Sequence, residues 1–178
     1  SAITYYSYDG LNRLETINYP GATPDTSYTY DGSNNITRLV KGDTRWDYVY
    51  DRNNNLTDEM LTIDGKSFAL SYTYNSLDAL MQTGFPNSLT VDYSPNDLGW
   101  PTGAGAFASA VTYHPNGQVN SFRLGNGLTQ NISQNDRLFI EGISVPGITN
   151  LSYTYDNVGN PLSINDSLNS TINRTMGY

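Results

Sequence analysis

The chain has 178 residues, a net charge of −8 and a charged fraction of 15%, well below the roughly 25% of an average soluble domain. Its only lysines are Lys41 and Lys66, and no basic stripe follows the sequence, which argues against nucleic-acid binding and against anionic membranes. The absence of cysteine excludes disulfides and thiolate metal sites, and no apolar run approaches the roughly 20 residues that insert across a bilayer.

Most of the fifteen tyrosines recur in one pattern, Tyr-x-Tyr-Asp, followed after four more residues by an aliphatic residue. A fixed short period indicates that one supersecondary unit is repeated along the chain. The clear copies contain Tyr6, Tyr8 and Asp9; Tyr28, Tyr30 and Asp31; and Tyr48, Tyr50 and Asp51. The weaker copies contain Tyr72 and Tyr74, and Tyr153, Tyr155 and Asp156.

Each copy is predicted to be a β-hairpin. The two tyrosines are two residues apart, so in a strand they share a face. The aspartate then initiates a turn rich in glycine and asparagine, and the aliphatic residue begins the return strand. Leu14 and Ile17, like Ile36 and Leu39, are three residues apart, which predicts a β-bulge in the return strand.

Eroded copies extend the pattern. We align Tyr93 and Tyr113 with the second tyrosine, and place Ile132 at that position in a copy that has lost both. The sequence therefore predicts one array over 1–178, with about eight hairpin repeats, ending inside a ninth. The small-residue segment 101–110 is its softest internal boundary. Since no segment has a helical pattern, the predicted fold class is all-β, with antiparallel hairpin repeats forming a twisted ribbon.

The pattern resembles the YD repeats of the RHS family. The resemblance rests on Tyr153-Thr154-Tyr155-Asp156 with Gly159-Asn160, and on the stretch 111–119, and it covers nearly the whole chain. It implies an arc of a larger hollow β-shell. In bacterial toxins of this family such a shell encloses a C-terminal toxic domain, and teneurins carry a similar shell in cell adhesion.

The resemblance also implies partners and a location. The partners are the remaining repeats of a longer parent protein and an encapsulated C-terminal domain, and the location is secreted or at the cell surface. The toxin members end in a core with an Asp-Pro-x-Gly motif and a self-cleavage site. This chain contains no Asp-Pro, so no autoproteolytic residue is transferred to it.

We predict no catalytic residue, no cofactor and no metal site. The single histidine, His114, is either a catalytic base or metal ligand, or a turn residue in the place of the repeat aspartate; no cysteine or second histidine accompanies it, which favours the turn. The turn that starts at Asp51 begins like a calcium loop, but Leu56 stands where such a loop needs glycine. The main hypothesis is a non-enzymatic structural segment of an RHS/YD-repeat shell.

The alternative hypothesis is a carbohydrate-binding or adhesion module. Aromatic rings stack on sugars, and Trp46 and Trp100 lie on the less regular segments of the chain, so they are the candidate stacking residues. Cutting an array exposes two sheet edges, so edge-to-edge self-association is a further expectation.

Overall fold

The computed structural model describes residues 3–178, and nearly all regular structure in that range is β. The prediction of an all-β chain of antiparallel hairpins is confirmed. A single turn of 3₁₀-helix lies at Ser170–Ile172. The strands are β1 (Tyr5–Tyr8), β2 (Leu14–Asn18), β3 (Thr26–Tyr30), β4 (Ile36–Lys41), β5 (Thr44–Tyr50), β6 (Leu56–Ile63), β7 (Lys66–Tyr74), β8 (Leu80–Gly84), β9 (Thr90–Asp92), β10 (Ala108–Tyr113), β11 (Val119–Leu124), β12 (Thr129–Gln134), β13 (Ile140–Val145), β14 (Thr149–Tyr155), β15 (Pro161–Asp166) and β16 (Arg174–Thr175).

The strands form two antiparallel meanders. β1 to β9 pair in sequence order in one sheet, and β10 to β16 pair in sequence order in the other. The chain divides into two compact units at the same place, one ending at Asp92 and the other beginning at Tyr93. The segment 101–110, expected as the softest boundary, leads into β10 of the second unit.

One turn geometry closes most hairpins. The N–H of the first turn residue donates to the C=O of the fourth residue after it, as Asp9 does to Arg13. The C=O of the same first residue accepts from the N–H of the third residue after it, as Asp9 does from Asn12. The third residue after the first, such as Asn12, has a positive φ. This is a type I turn followed by a left-handed residue. The left-handed residues are Asn12, Asn34, Asn54, Asp78, Ser88, Gly99, Gly117, Gly127, Leu138 and Gly159.

A bulge follows these turns on the return strand, as the spacing of its aliphatic residues predicts. Tyr8 pairs with Leu14, but the preceding Ser7 pairs with Thr16, so one residue of β2 is left over. The same shift occurs just before Tyr30, Tyr50, Tyr74, Tyr113, Gln134 and Tyr155. The bulge turns both the first aliphatic residue and the one three positions later onto the tyrosine face.

The sheets bury little. Among the described residues only Val91 and Val145 are buried hydrophobic side chains, and no side chain is below 2% exposure. The tyrosine face of the first sheet instead carries a half-buried row across five strands. Its members are Tyr28, Leu39, Trp46, Leu61 and the more exposed Phe68. Each apolar residue is therefore covered mainly by its neighbours in the row rather than by a second layer.

No helix within residues 3–178 has the length and apolar character that a membrane crossing requires.

Candidate functional site at the turn edge

The repeat aspartates lie at one end of the strands in each sheet. In a meander every second turn falls at the same end of the strands, and the turns that carry the repeat aspartates are of this kind. We call this end the turn edge, and we call the first residue of each of its turns the capping residue. The capping residues are Asp9, Asp31, Asp51, Asn75, Asn96, His114, Asn135 and Asp156.

The capping carboxylate or amide holds the turn closed. Oδ1 of Asp31 accepts from the N–H of Ser33 at 2.8 Å and from the N–H of Asn35 at 2.9 Å. The same two bonds form at every capping residue except His114. A short side chain with an acceptor at its γ-branch is needed for this geometry, which explains the recurrence of Asp and Asn.

The choice between Asp and Asn follows the residue four positions later. Each capping Asp has a donor side chain there, such as Asn160 Nδ2, which donates to Oδ2 of Asp156 at 2.9 Å, or Arg13, which forms an ion pair with Asp9. Each capping Asn has a residue there whose backbone N–H donates to it but whose side chain does not: Ala79, Trp100 or Phe139. The second carboxylate oxygen is thus present where a donor can satisfy it.

These hydrogen bonds hold the pKa of the capping carboxyls below the ordinary value. At Asp9 and Asp51 the largest cause is the N–H of the fourth residue after the cap, and at Asp31 it is the side chain of Asn35. At Asp156 desolvation is the largest single effect and raises the pKa, but the hydrogen bonds from Asn160, Val158 and Gly159 together outweigh it. The charged form is therefore the one that the turn stabilises.

The second tyrosine of each repeat ties its hairpin to the preceding one. The hydroxyl of Tyr30 donates to the C=O of Leu14 at 2.7 Å, and Leu14 is the first residue of the previous return strand. Equivalent bonds run from Tyr50 to Ile36, Tyr74 to Leu56, Tyr113 to Pro101 and Tyr155 to Ile140. Pairing with the following strand begins two residues after Leu14, Ile36, Leu56 and Ile140, so the tyrosine hydroxyls bond to carbonyls that lie beyond that ladder. Desolvation raises the pKa of Tyr50, Tyr74, Tyr113 and Tyr155.

In three repeats the fourth residue after the cap covers the ring of the next tyrosine. The Arg13 guanidinium lies 4.5 Å from the centroid of the Tyr30 ring. Trp100 packs on Tyr113 with ring centroids 5.0 Å apart, and Phe139 packs on Tyr155 at 5.1 Å. Cation–π and tilted aromatic contacts of this kind add to the burial of each ring.

Side chains also connect neighbouring turns. The Arg13 guanidinium donates to the C=O of Asp31 and to Asn34 Oδ1, and Asn35 Nδ2 donates to Asn54 Oδ1 at 2.9 Å. Asp78 Oδ1 accepts from both Asn53 and Asn55. In the second unit Arg137 donates to the C=O groups of Asp156 and Asn157. Hydrogen bonds thus link successive turns along the edge of each sheet.

Two eroded repeats have a register different from the predicted one. Their capping residues are Asn96 and Asn135, which lie two positions later than the pattern placed them. Tyr93 therefore occupies the position of the first tyrosine, and so does Ile132. The turn is specified by the capping amide with its two N–H donors, so counting tyrosines alone misplaced it. The capping Asn at a fixed distance before an aliphatic or proline was the pattern that identifies these turns.

His114 is a capping residue in the same turn geometry, as the sequence favoured. Its N–H bonds to the C=O of Gln118, and its Nε2 contacts the C=O of Ile132 at 2.9 Å, so Nε2 carries the hydrogen of that bond. The imidazole reaches to the next hairpin, which has no tyrosine to reach back. Among the described residues no group of three or more His, Asp and Glu side chains is arranged to hold a metal ion.

The two candidate tryptophans have different surroundings. Trp46 lies inside the regular strand β5, in the apolar row described above. Trp100 lies at the turn edge against Tyr113, and a Cβ added at Gly117 would lie 3.2 Å from its ring. One side of the Trp100 ring is therefore occupied by the protein.

The first tyrosines of the repeats lie on the same face as the second ones. Tyr28, Tyr48, Tyr72 and Tyr153 are cross-strand partners of Leu39, Glu59, Thr83 and Ile164. Tyr6 and Tyr8, on the edge strand β1, are 57% and 56% exposed. The tyrosines are thus half-buried where a hairpin precedes them and open where none does.

The fold and the turn edge define a class of protein, an antiparallel array of YD-type hairpins, and solved structures share it. The chain resembles the Photorhabdus luminescens Tc holotoxin pore, with a TM-score of 0.79 and 14% identity over 94% of this chain. It resembles the TcdB2–TccC3 complex with a TM-score of 0.78 and 16% identity over 94% of this chain, and the TcdB2–TccC3–Cdc42 complex with 0.75 and 15% over 93%.

The matches concern the fold of part of a larger chain. This chain spans only 10–11% of the length of those three chains. No family model matches it, and no curated protein sequence does. The chain has the hairpin fold found in the RHS/YD-repeat shell of Tc toxin complexes, which is the fold that the resemblance implies.

Proposed function

We propose that this chain is a non-enzymatic wall segment of an RHS/YD-repeat shell that encloses or displays another domain, a toxin by analogy with the Tc complexes. The tyrosine hydroxyl that bonds to the preceding return strand carries the proposal. It makes each hairpin depend on its neighbour, as a continuous wall requires. The likeness in fold to the Tc toxin chains supports the same function.

The proposed partners are the other repeats of the parent protein and the domain that they enclose, and the proposed location is extracellular. The test is protease protection of the enclosed domain in the natural parent chain. We expect that domain to resist trypsin while the array is intact. Replacing the capping residues Asp31 and Asp51 with alanine should open the wall and expose it, whereas replacing Asp43, which caps no turn, should not. Equal sensitivity in all three proteins would refute enclosure.

A carbohydrate-binding or adhesion module is the second candidate function. Trp46 supports it, because it lies in the same partly open row as Phe68, which is 47% exposed, with Leu61 between the two rings. A glycan array with the unmodified chain and Trp46→Ala tests it. Trp100→Ala is the matched control, since that ring packs on Tyr113. Selective glycan binding lost only in Trp46→Ala would establish this function.

A further inference from the structure

A depression of about 360 Å³ lies on the face of the first sheet opposite the tyrosines. Asp58, Ser71, Gly84 and Thr90 are cross-strand partners in one row over β6 to β9 and lie in its lining. Tyr72 is adjacent to Ser71 in sequence and therefore points to the other face. We call this site the Asp58 depression.

Gly84 lies in the middle of this row. The position of a Cβ on Gly84 lies 2.4 Å from Ser71 Oγ, so no larger residue fits there without moving the serine. Glycine has an entropic cost in a strand and often marks a place where another group approaches closely. Here the close group is the Ser71 hydroxyl, which occupies the space that a side chain at position 84 would take.

The two ends of the Asp58 depression differ in chemistry. Asp58, at one end, is exposed, and its carboxylate makes no hydrogen bond or ion pair within residues 3–178. The turn after β8 lines the other end with Phe85, Pro86 and Leu89. Phe85 and Leu89 are 36% and 40% exposed. Strands are about 4.8 Å apart, so roughly 10 Å separates the backbone of β6 from that of β8.

We propose that the Asp58 depression binds an alkylammonium group, with the ammonium at Asp58 and Ser71 and the aliphatic chain across Gly84. An ammonium group has only donors, and the carboxylate and the serine hydroxyl supply acceptors. An aliphatic chain of lysine length reaches from Asp58 toward the wall formed by Phe85 and Leu89, where it buries apolar surface. A free amine and a lysine side chain of a polypeptide present this same group.

The test is an NMR titration of the full chain, with amide shifts on β6 to β9 as the readout. We expect n-butylammonium to bind with a Kd of about 1–10 mM, as is reasonable for so small a ligand. Neutral n-butanol should bind more weakly, and affinity should rise by about twofold to threefold for each methylene from ethyl- to butylammonium. Nα-acetyl-lysine amide is the polypeptide probe; tighter binding than butylammonium assigns the group to a lysine side chain, and weaker binding assigns it to a free amine.

Two variants locate the binding site. Asp58→Asn should weaken butylammonium by about fivefold while the shifts of the sheet stay native. Leu89→Ser should reduce the gain with chain length but not the binding of ethylammonium. Asp136→Asn removes the same charge from an exposed turn of the other unit and should change nothing. Equal affinity for butanol and butylammonium, or unchanged affinity in Asp58→Asn, would overturn the proposal.

Discussion

At the residue scale, the left-handed position of each turn decides which amino acid fits best. Glycine, asparagine and aspartate tolerate a positive φ, and they fill most of these positions. Leu138 is the clearest exception, with φ 64° and a side chain that is 54% exposed. Since an L-residue with a bulky side chain is strained there and Leu138 gains little burial in return, this turn holds avoidable strain.

Replacing Leu138 with glycine should therefore stabilise the second unit. We expect the free energy of unfolding to rise by about 0.5–1 kcal/mol, the relief of strain minus the extra entropy of glycine in the unfolded chain. Urea unfolding followed by circular dichroism measures it. Leu11→Gly is the control, because Leu11 is equally a turn residue, 70% exposed, but has no positive φ. A gain of similar size at both positions would show that strain is not the cause.

The tyrosine hydroxyls should stabilise the array one hairpin at a time. Tyr50→Phe removes the donor to the Ile36 carbonyl, which stays partly buried, so it should cost about 1 kcal/mol. Tyr8→Phe should cost nearly nothing, since within residues 3–178 β1 pairs only with β2 and the Tyr8 hydroxyl has no acceptor. The difference between the two urea midpoints measures the bond, and equal midpoints would rule out its contribution.

At the element scale, the capping residue and the fourth residue after it act as a pair. Asp156→Asn places an amide where Asn160 Nδ2 needs an acceptor, and Asn160→Ala leaves Oδ2 of Asp156 without its donor. The double variant copies the natural pair Asn75 and Ala79. We expect the double variant to lose less unfolding free energy than the sum of the losses in the two single variants. A double-mutant cycle on the urea midpoint tests this, and additivity would refute the pairing.

Protonation of the capping carboxyls should weaken the hairpins in acid. Their folded pKa lies below the ordinary value of 3.8 because the charged form accepts the turn hydrogen bonds. The unfolded chain thus binds protons more readily, so this stability is complete above about pH 5 and is lost as the pH falls through 3.8 towards the folded pKa. Asparagine at the four capping aspartates should flatten the loss, and Asp136→Asn, at a carboxyl that accepts none of the turn hydrogen bonds within residues 3–178, should not. Thermal unfolding between pH 2 and 7, in steps of about one unit, gives the slopes.

At the scale of the whole molecule, stability is spread along each sheet instead of being concentrated in a core. Contacts pass from one hairpin to the next through the tyrosine bonds, the rings and the turn edge. A chain of nearest-neighbour contacts of this kind gains stability from each added repeat. Among the described residues, the outer strands of a sheet have a neighbour on one side only; in the first sheet these are β1 and β9.

Free sheet edges should make the chain self-associate. β1 presents Tyr5, Tyr6 and Tyr8, each more than half exposed, on a strand with one open side. We expect light scattering to show a mass that increases with protein concentration, and Tyr6→Lys to reduce it by placing a charge on the edge. A monomer at every concentration in the unmodified chain would contradict this.

The sequence predicted the hairpins well where the tyrosine pattern is complete. Tyr28, Tyr30 and Asp31 identify a strand and its turn, and the spacing of Ile36 and Leu39 identifies the bulge that follows on the return strand. It failed at Asn96 and Asn135, because a turn needs an acceptor and two N–H donors more than it needs a tyrosine before it. The sequence placed both tryptophans on less regular segments; this is wrong for Trp46, which lies inside β5, and right for Trp100, whose contact with Tyr113 only the structure shows.

Local chemistry explains what the sequence alone determined. A short acceptor side chain, a residue that tolerates positive φ and alternating aromatic residues specify each hairpin within about ten residues, without help from distant parts of the chain. The tertiary structure alone decided which carbonyl each tyrosine reaches, which ring each fourth residue covers, and that Asp58 and Gly84 share a row. Those contacts join residues from different strands, and the sheet register that brings them together is set by all the hairpins at once.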